Sequence, residues 1–193
     1  FQFLTYEKNT PIDLLNNIQS GSATKRWQSA FELSNMLDQS KINNREIFNS
    51  KLVFLYEESK HDNPLVRFYL AHAMGKTNDS YFGPYLINGL NTDDNKDNRI
   101  AAIRALGMLK YSESCSLLAT IIKESEYDDE KLHAIISLGV IGDSRFKNVG
   151  SIPLDNLVGK AWIIFFSLEN SRFFELWKWP SSIRYSRIFS SIL

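Results

Sequence analysis

One cysteine, three histidines and no excess of either charge leave this chain short of the usual ingredients of chemistry. Cys115, alone, can form no internal disulfide, so no disulfide framework holds the fold, and the redox compartment stays open. His61, His72 and His133 lie far apart and lack metal-ligand spacing. Lysine plus arginine balances aspartate plus glutamate at 22 each. That balance argues against a protein built chiefly to grip nucleic acid, where a basic face is expected. No apolar run approaches the roughly 18 to 20 residues of a bilayer span; the densest, 161–168, is far too short. The sequence opens FQFLTYEKN, with no initiator Met and no charged-then-apolar signal pattern.

What the chain does have is a core and a period. Its 193 residues, 44% of them hydrophobic, suit one domain with a small appendage. Aligning NPLVRFYLAHAMG, NKDNRIAAIRALG and YDDEKLHAIISLG superimposes Gly75, Gly107 and Gly139, each 32 positions after the last. The basic residues Arg67, Arg99 and Lys131 repeat at the same interval. Between them the columns hold Phe68/Ile100/Leu132, Leu70/Ala102/Ala134, Ala71/Ile103/Ile135 and Met74/Leu106/Leu138. Apolar side chains at this spacing share one face of a helix, and a period of this length made of helix pairs marks a solenoid. An earlier, divergent unit carries Arg26 in the Arg67 column, with extra residues in the loop around 39–45.

Second helices are expected over about 45–58, 80–90 and 112–123. Their apolar stripes are Leu52/Phe54/Leu55, Tyr85/Leu86/Leu90 and Leu117/Leu118/Ile122. Ala71, Ala73, Ala102, Ala105 and Ala134 permit neighbouring helices to approach closely. Thr10-Pro11 and Asn63-Pro64 each place a capping side chain before a proline at the first helical position. Gly75, Gly107 and Gly139 are expected at helix ends in the left-handed conformation. The expected fold is all-α: a right-handed solenoid of three helix pairs plus one unpaired helix over 22–142. A lead-in with a short helix occupies 1–21, and a short β-rich or irregular tail occupies 143–193.

The stretches NPLVR, AHAMG and RALG resemble the HEAT family, in particular the bacterial subtype related to phycobilisome-lyase repeats. Its signature opens the first helix with Asp/Asn-Pro-x-Val-Arg and closes it with Ala-x-Ala-Leu-Gly. The opening TYEKNTPIDLLNNIQSGSATKRWQSAFELS also resembles membrane-tethered bacterial HEAT proteins, which would put an anchor before Phe1. The resemblance implies an interaction scaffold. The expected partner is a protein on the concave face lined by second helices, in the cytoplasm or tethered to the bacterial inner membrane.

Beyond Gly142 the register breaks. Gly150 and Pro153 fall where a next helix would stand, and proline alone costs roughly 3 kcal/mol inside one. The tail is crowded with aromatics and carries an excess of basic residues. Strands are expected at 160–166 and 182–189. Asp143-Ser144-Arg145, IPLDNLVGKA (152–161) and WPSSIRYSRIF (179–189) resemble, in order, three motifs that end bacterial type I signal peptidases. That family works through a Ser-Lys dyad whose sequence contexts do not occur here. Asp143, Ser144 and Arg145 would correspond to its supporting polar network, and a nucleophile without a base is a poor catalyst.

No catalytic, cofactor-binding or metal-ligating residue is therefore expected. Arg67, Arg99 and Lys131 read as a structural column bonding neighbouring repeats through loop acids and carbonyls. The alternative is a phosphate-binding row as in HEAT-type DNA glycosylases, against which the neutral charge and the lack of an aromatic row tell. Cys115 reads as a packing thiol. The acidic stretch 124–130 reads as a solvated loop favouring the next helix N-terminus, with calcium binding as its alternative. The tail aromatics read as core, with interfacial membrane contact as theirs. The alternatives to a scaffold are a signal-peptidase-related serine protease and a nucleic-acid-binding HEAT protein.

Overall fold

The computed structural model describes residues 9–37, 42 and 44–146, and every regular element among them is helical. The strands expected in the tail, and all of its motifs after Phe146, lie outside the described residues. The chain divides into two compact units, Phe1–Tyr111 and Ser112–Leu193.

In the first unit, α1 (Pro11–Ser20) is opened by Thr10, whose hydroxyl accepts from the Asp13 amide while the Asp13 carboxylate accepts from the Thr10 amide. This reciprocal box satisfies two amides a helix start leaves orphaned. Then come α2 (Ala23–Met36), α3 (Arg45–Glu58), α4 (Pro64–Lys76), α5 (Gly83–Thr92) and α6 (Lys96–Met108). The side-chain oxygens of Asn63 and Asn95 accept from amides in the first turns of α4 and α6, at 3.0 and 3.1 Å. The expected second helix at 80–90 is split. Asp79 caps a 3₁₀ turn, Ser80–Phe82, through the Tyr81 amide, and α5 follows with Pro84 in its first turn.

The first helices α2, α4 and α6 stack in succession, while α3 packs on α4 and α5 on α6. Their interface is the repeated apolar face: Phe68, Leu70, Ala71, Met74, Ile100, Ala102, Ile103 and Leu106 are all buried. Phe54 departs from its expected place in the interior. It is 49% exposed, and Tyr56 is buried instead. Two positions along a helix turn about 200°, so Phe54 points away from the face that Phe48, Leu52, Leu55 and Tyr56 bury.

The second unit opens with a 3₁₀ turn, Ser112–Ser114, then α7 (Cys115–Glu124) and α8 (Asp128–Ile141), which pack on each other, and a final 3₁₀ turn, Ser144–Phe146. Leu118, Ile121 and Ile122 from α7 and Ala134, Ile135 and Leu138 from α8 are buried. Leu132 and Leu117 are only partly covered.

The repeat glycines do not take the left-handed conformation expected of them. Gly75, Gly107 and Gly139 lie inside α4, α6 and α8, which each run on for at least one more residue. The left-handed position comes three residues later, at Asn78 (φ 52°), Lys110 (φ 51°) and Gly142 (φ 73°), again 32 apart. Gly75 is demanded by packing: a Cβ there would stand 2.8 Å from the Ala105 Cα. Two variants should therefore move stability in opposite directions in urea denaturation. Gly75→Ala loses about 1–3 kcal/mol by overpacking α4 against α6. Lys110→Gly gains up to about 1 kcal/mol by relieving a left-handed non-glycine residue. A neutral Gly75→Ala would refute the close approach.

Candidate protein-binding face

Arg67, the first member of the basic column, is turned inward and is 3% exposed. Its Nε donates to Asp93 Oδ2 at 2.5 Å, one of its terminal nitrogens donates to the Tyr56 carbonyl, and its guanidinium carbon sits 4.0 Å from the centre of the Tyr56 ring. Burial, offset by the Arg67 charge and reinforced by that of Asp93, pushes the Tyr56 phenol up to about 12. Arg26 repeats the pattern one unit earlier. Its Nε donates to the Ile18 carbonyl at 2.9 Å, and its terminal nitrogen pairs with Asp62. In both cases an arginine of a first helix caps the last turn of the helix before it and grips the aspartate just ahead of the next first helix. Asp62 and Asp93 were not singled out in the sequence; their signal is an aspartate one or two positions before the capping Asn63 and Asn95.

Arg99 is half-buried on α6. Lys131 is half-buried on α8, with its ammonium 4.0 Å from Asp128 one turn away. A guanidinium sealed like that of Arg67 has no face left for a phosphate, so the phosphate-row alternative loses its first member.

The remaining candidates fall apart spatially or chemically. His72 and His133 are buried in different helices and His61 is exposed. Among the described residues no group of three His, Cys, Asp or Glu is placed to hold a metal ion. Glu124, Glu126 and Asp128 are exposed as expected of a solvated loop, but Glu130 is fully buried and accepts from the Ser125 hydroxyl at 2.7 Å. It belongs to the first turn of α8, where a helix N-terminus favours a carboxylate. Cys115 is buried, and burial followed by the charge of Asp143 pushes its thiol up, away from the reactive thiolate. Asp143 accepts from the Arg145 amide at 3.0 Å and from its side chain at 2.6 Å, closing the Asp143-Ser144-Arg145 box into a turn. Those bonds hold the Asp143 carboxyl below its ordinary value. Ser144, beside it, is exposed.

A different feature is open to solvent. In the first unit, the outward side of the second helices carries apolar and aromatic groups. Ile47 is 57% exposed, Phe54 49% and Tyr81 43%, and half-buried Tyr85 stands beside Tyr81. Ile47 and Phe54, two turns apart on α3, line a shallow, open groove together with Gln19, Asn44, Glu46, Ser50 and Lys51. Lys51 is held at its edge by Asn16, 2.5 Å away. Neither Ile47 nor Tyr81 recurs at the repeat interval, so the period carries no signal for them.

Breaking the buried pair behind this face should be costly. Arg67→Met and Asp93→Asn should each destabilise by about 3–5 kcal/mol, since either leaves the partner buried without its counter-charge. The double variant should cost less than the sum, as measured by a double-mutant cycle in denaturant. Additive losses would mean that the two groups do not act as a pair.

Residues 52–139 match the family model for HEAT repeats. No curated protein matches the chain. Among solved structures, the complex of CpcE and CpcF of phycocyanin lyase from Nostoc sp. is similar, with a TM-score of 0.64 at 20% identity. The match covers 84% of this chain and 64% of that one, so this chain spans less than two thirds of its neighbour. The chain thus carries a HEAT-repeat region, and its fold is the all-α repeat solenoid of that class.

Proposed function

We propose that this protein is a non-catalytic protein–protein interaction scaffold that binds its partner on the second-helix side of the first unit. The observation that carries this reading is the exposure of Ile47 and Phe54, two turns apart on α3, with Tyr81 exposed in the 3₁₀ turn before α5, while the apolar columns of the repeats are buried. The other exposed apolar residues of the first unit are Ile12, Leu65 and Phe31, the last edge-on to Tyr69 on the first-helix side. The similar structure is that of a complex, in keeping with a protein partner here. The supporting layout keeps 22–142 as the repeat domain, with Arg67, Arg99 and Lys131 as a structural column and 143–193 as an appendage. A photo-crosslinking residue at Ser50, on the groove, should capture a discrete protein in cells. The same residue at Glu32, exposed on first helix α2, should capture none. Equal capture from both positions would remove the preference for the second-helix side.

A second reading, that the chain is related to signal peptidases, draws only on the resemblance of three spaced tail motifs, including IPLDNLVGKA and WPSSIRYSRIF. The missing Ser-Lys contexts place it behind the scaffold reading. Incubation of the full chain with a signal-peptide substrate should give no cleavage; turnover abolished by replacing a serine of this chain would reverse the order.

A further inference from the structure

Two phenols are held against each other where the 3₁₀ turn Ser80–Phe82 runs into α5. Tyr81, in the turn, and Tyr85, in the first turn of α5, have ring centroids 5.6 Å apart and planes inclined by 46°. Tyr81 is 43% exposed and Tyr85 half-buried, so a reagent in solution reaches both. The backbone under them is fixed from several sides. Asp79 Oδ1 accepts from the Tyr81 amide at 3.0 Å, while its Oδ2 accepts from Asn49 Nδ2 of α3 at 2.9 Å. Pro84, between the two tyrosines, fixes its own φ. The Tyr81 ring also stands edge-on to that of Phe82, which is fully buried, with centroids 5.4 Å apart. A side-chain hydrogen bond with Tyr81 is the first cause that pushes the Tyr85 phenol up, in keeping with hydroxyl ends turned toward each other.

A phenol that gives up one electron and its proton becomes a phenoxyl radical, with spin on the ring carbons flanking the oxygen. Two such rings in contact join by a carbon–carbon bond between those carbons, and the hydrogens they carried return to the oxygens. In sum two C–H bonds are lost and one C–C bond is gained, with two electrons and two protons passing to the oxidant. Hydrogen peroxide, acting through a haem peroxidase, accepts them and becomes two waters. Rings held on one rigid turn meet at an effective concentration on the order of millimolar or higher, without any encounter between chains.

We infer that Tyr81 and Tyr85 form an oxidative modification site, at which a peroxidase-type one-electron oxidant joins the two rings as an intramolecular dityrosine. The link staples the 3₁₀ turn to the first turn of α5. It requires no partner protein and stands apart from the scaffold reading above.

The test exposes the full chain, in dilute solution, to a haem peroxidase and hydrogen peroxide, then isolates the monomer and digests it with trypsin. Lys76 and Lys96 bracket a tryptic peptide, 77–96, that contains both tyrosines and no basic residue before Lys96. That peptide should lose the mass of two hydrogens and gain the blue fluorescence of dityrosine. Its yield per chain should hold on about tenfold dilution, whereas coupling between chains falls about tenfold. Tyr81→Phe and Tyr85→Phe should each abolish the product; both remove only a hydroxyl, so an unchanged melting temperature separates lost chemistry from lost fold. Tyr127→Phe, at a position 51% exposed, should leave the product as it is. Dityrosine confined to dimers would overturn the inference, as would a 77–96 peptide that keeps its mass or gains only oxygen.

Discussion

A guanidinium removed from water has to find all its partners in the protein, and that requirement organises the first unit around Arg67. Its charge is matched by Asp93 from the α5–α6 loop, its terminal N–H by the carbonyl of Tyr56 at the end of α3, and its flat face by the Tyr56 ring. Two segments distant in sequence, the end of α3 and the α5–α6 loop, are thereby tied to α4 by one side chain. Replacing the group by an apolar one of equal size need not weaken the protein, because desolvation cancels much of the attraction. What the pair ties together is register: shifting α3, α4 or the loop before α6 against one another would leave a buried charge bare. The Arg26–Asp62 pair does the same one unit earlier, closer to solvent.

The helical framework was legible because burial and period coincide. Met74 and Leu106 stand in one column, and both are inaccessible to water. A column of this sort is written in side chains, so the sequence displays it directly. The partners of the arginines are not written that way. Asp93 lies 26 positions beyond Arg67, whereas Asp62 lies 36 beyond Arg26, since the loops between helices differ in length. No fixed interval connects donor to acceptor, and the column therefore announces the basic residue but not what it holds.

The glycines show a second limit. A glycine near a helix end reads equally well as a left-handed cap or as a gap for a neighbouring backbone. Gly75 proves to be the latter, set against Ala105, and the left-handed role passes to Asn78 and Lys110. Lysine carries no local signal for that conformation. The candidate face was harder still: Ile47, Phe54 and Tyr81 gain their meaning from which side of α3 and α5 remains uncovered, and the sequence pattern assigned Phe54 to the wrong side.

The column of asparagine, lysine and glycine at 78, 110 and 142 bears on how such a chain can change over time. Three unrelated side chains occupy one backbone shape, so the bend at that point is dictated by the helices on either side and tolerates drift in its own residue. A duplicated segment of this length would carry its corner with it. Lengthening or shortening by whole modules then leaves every remaining corner intact, whereas a single inserted residue inside a helix would rotate the buried column out of alignment.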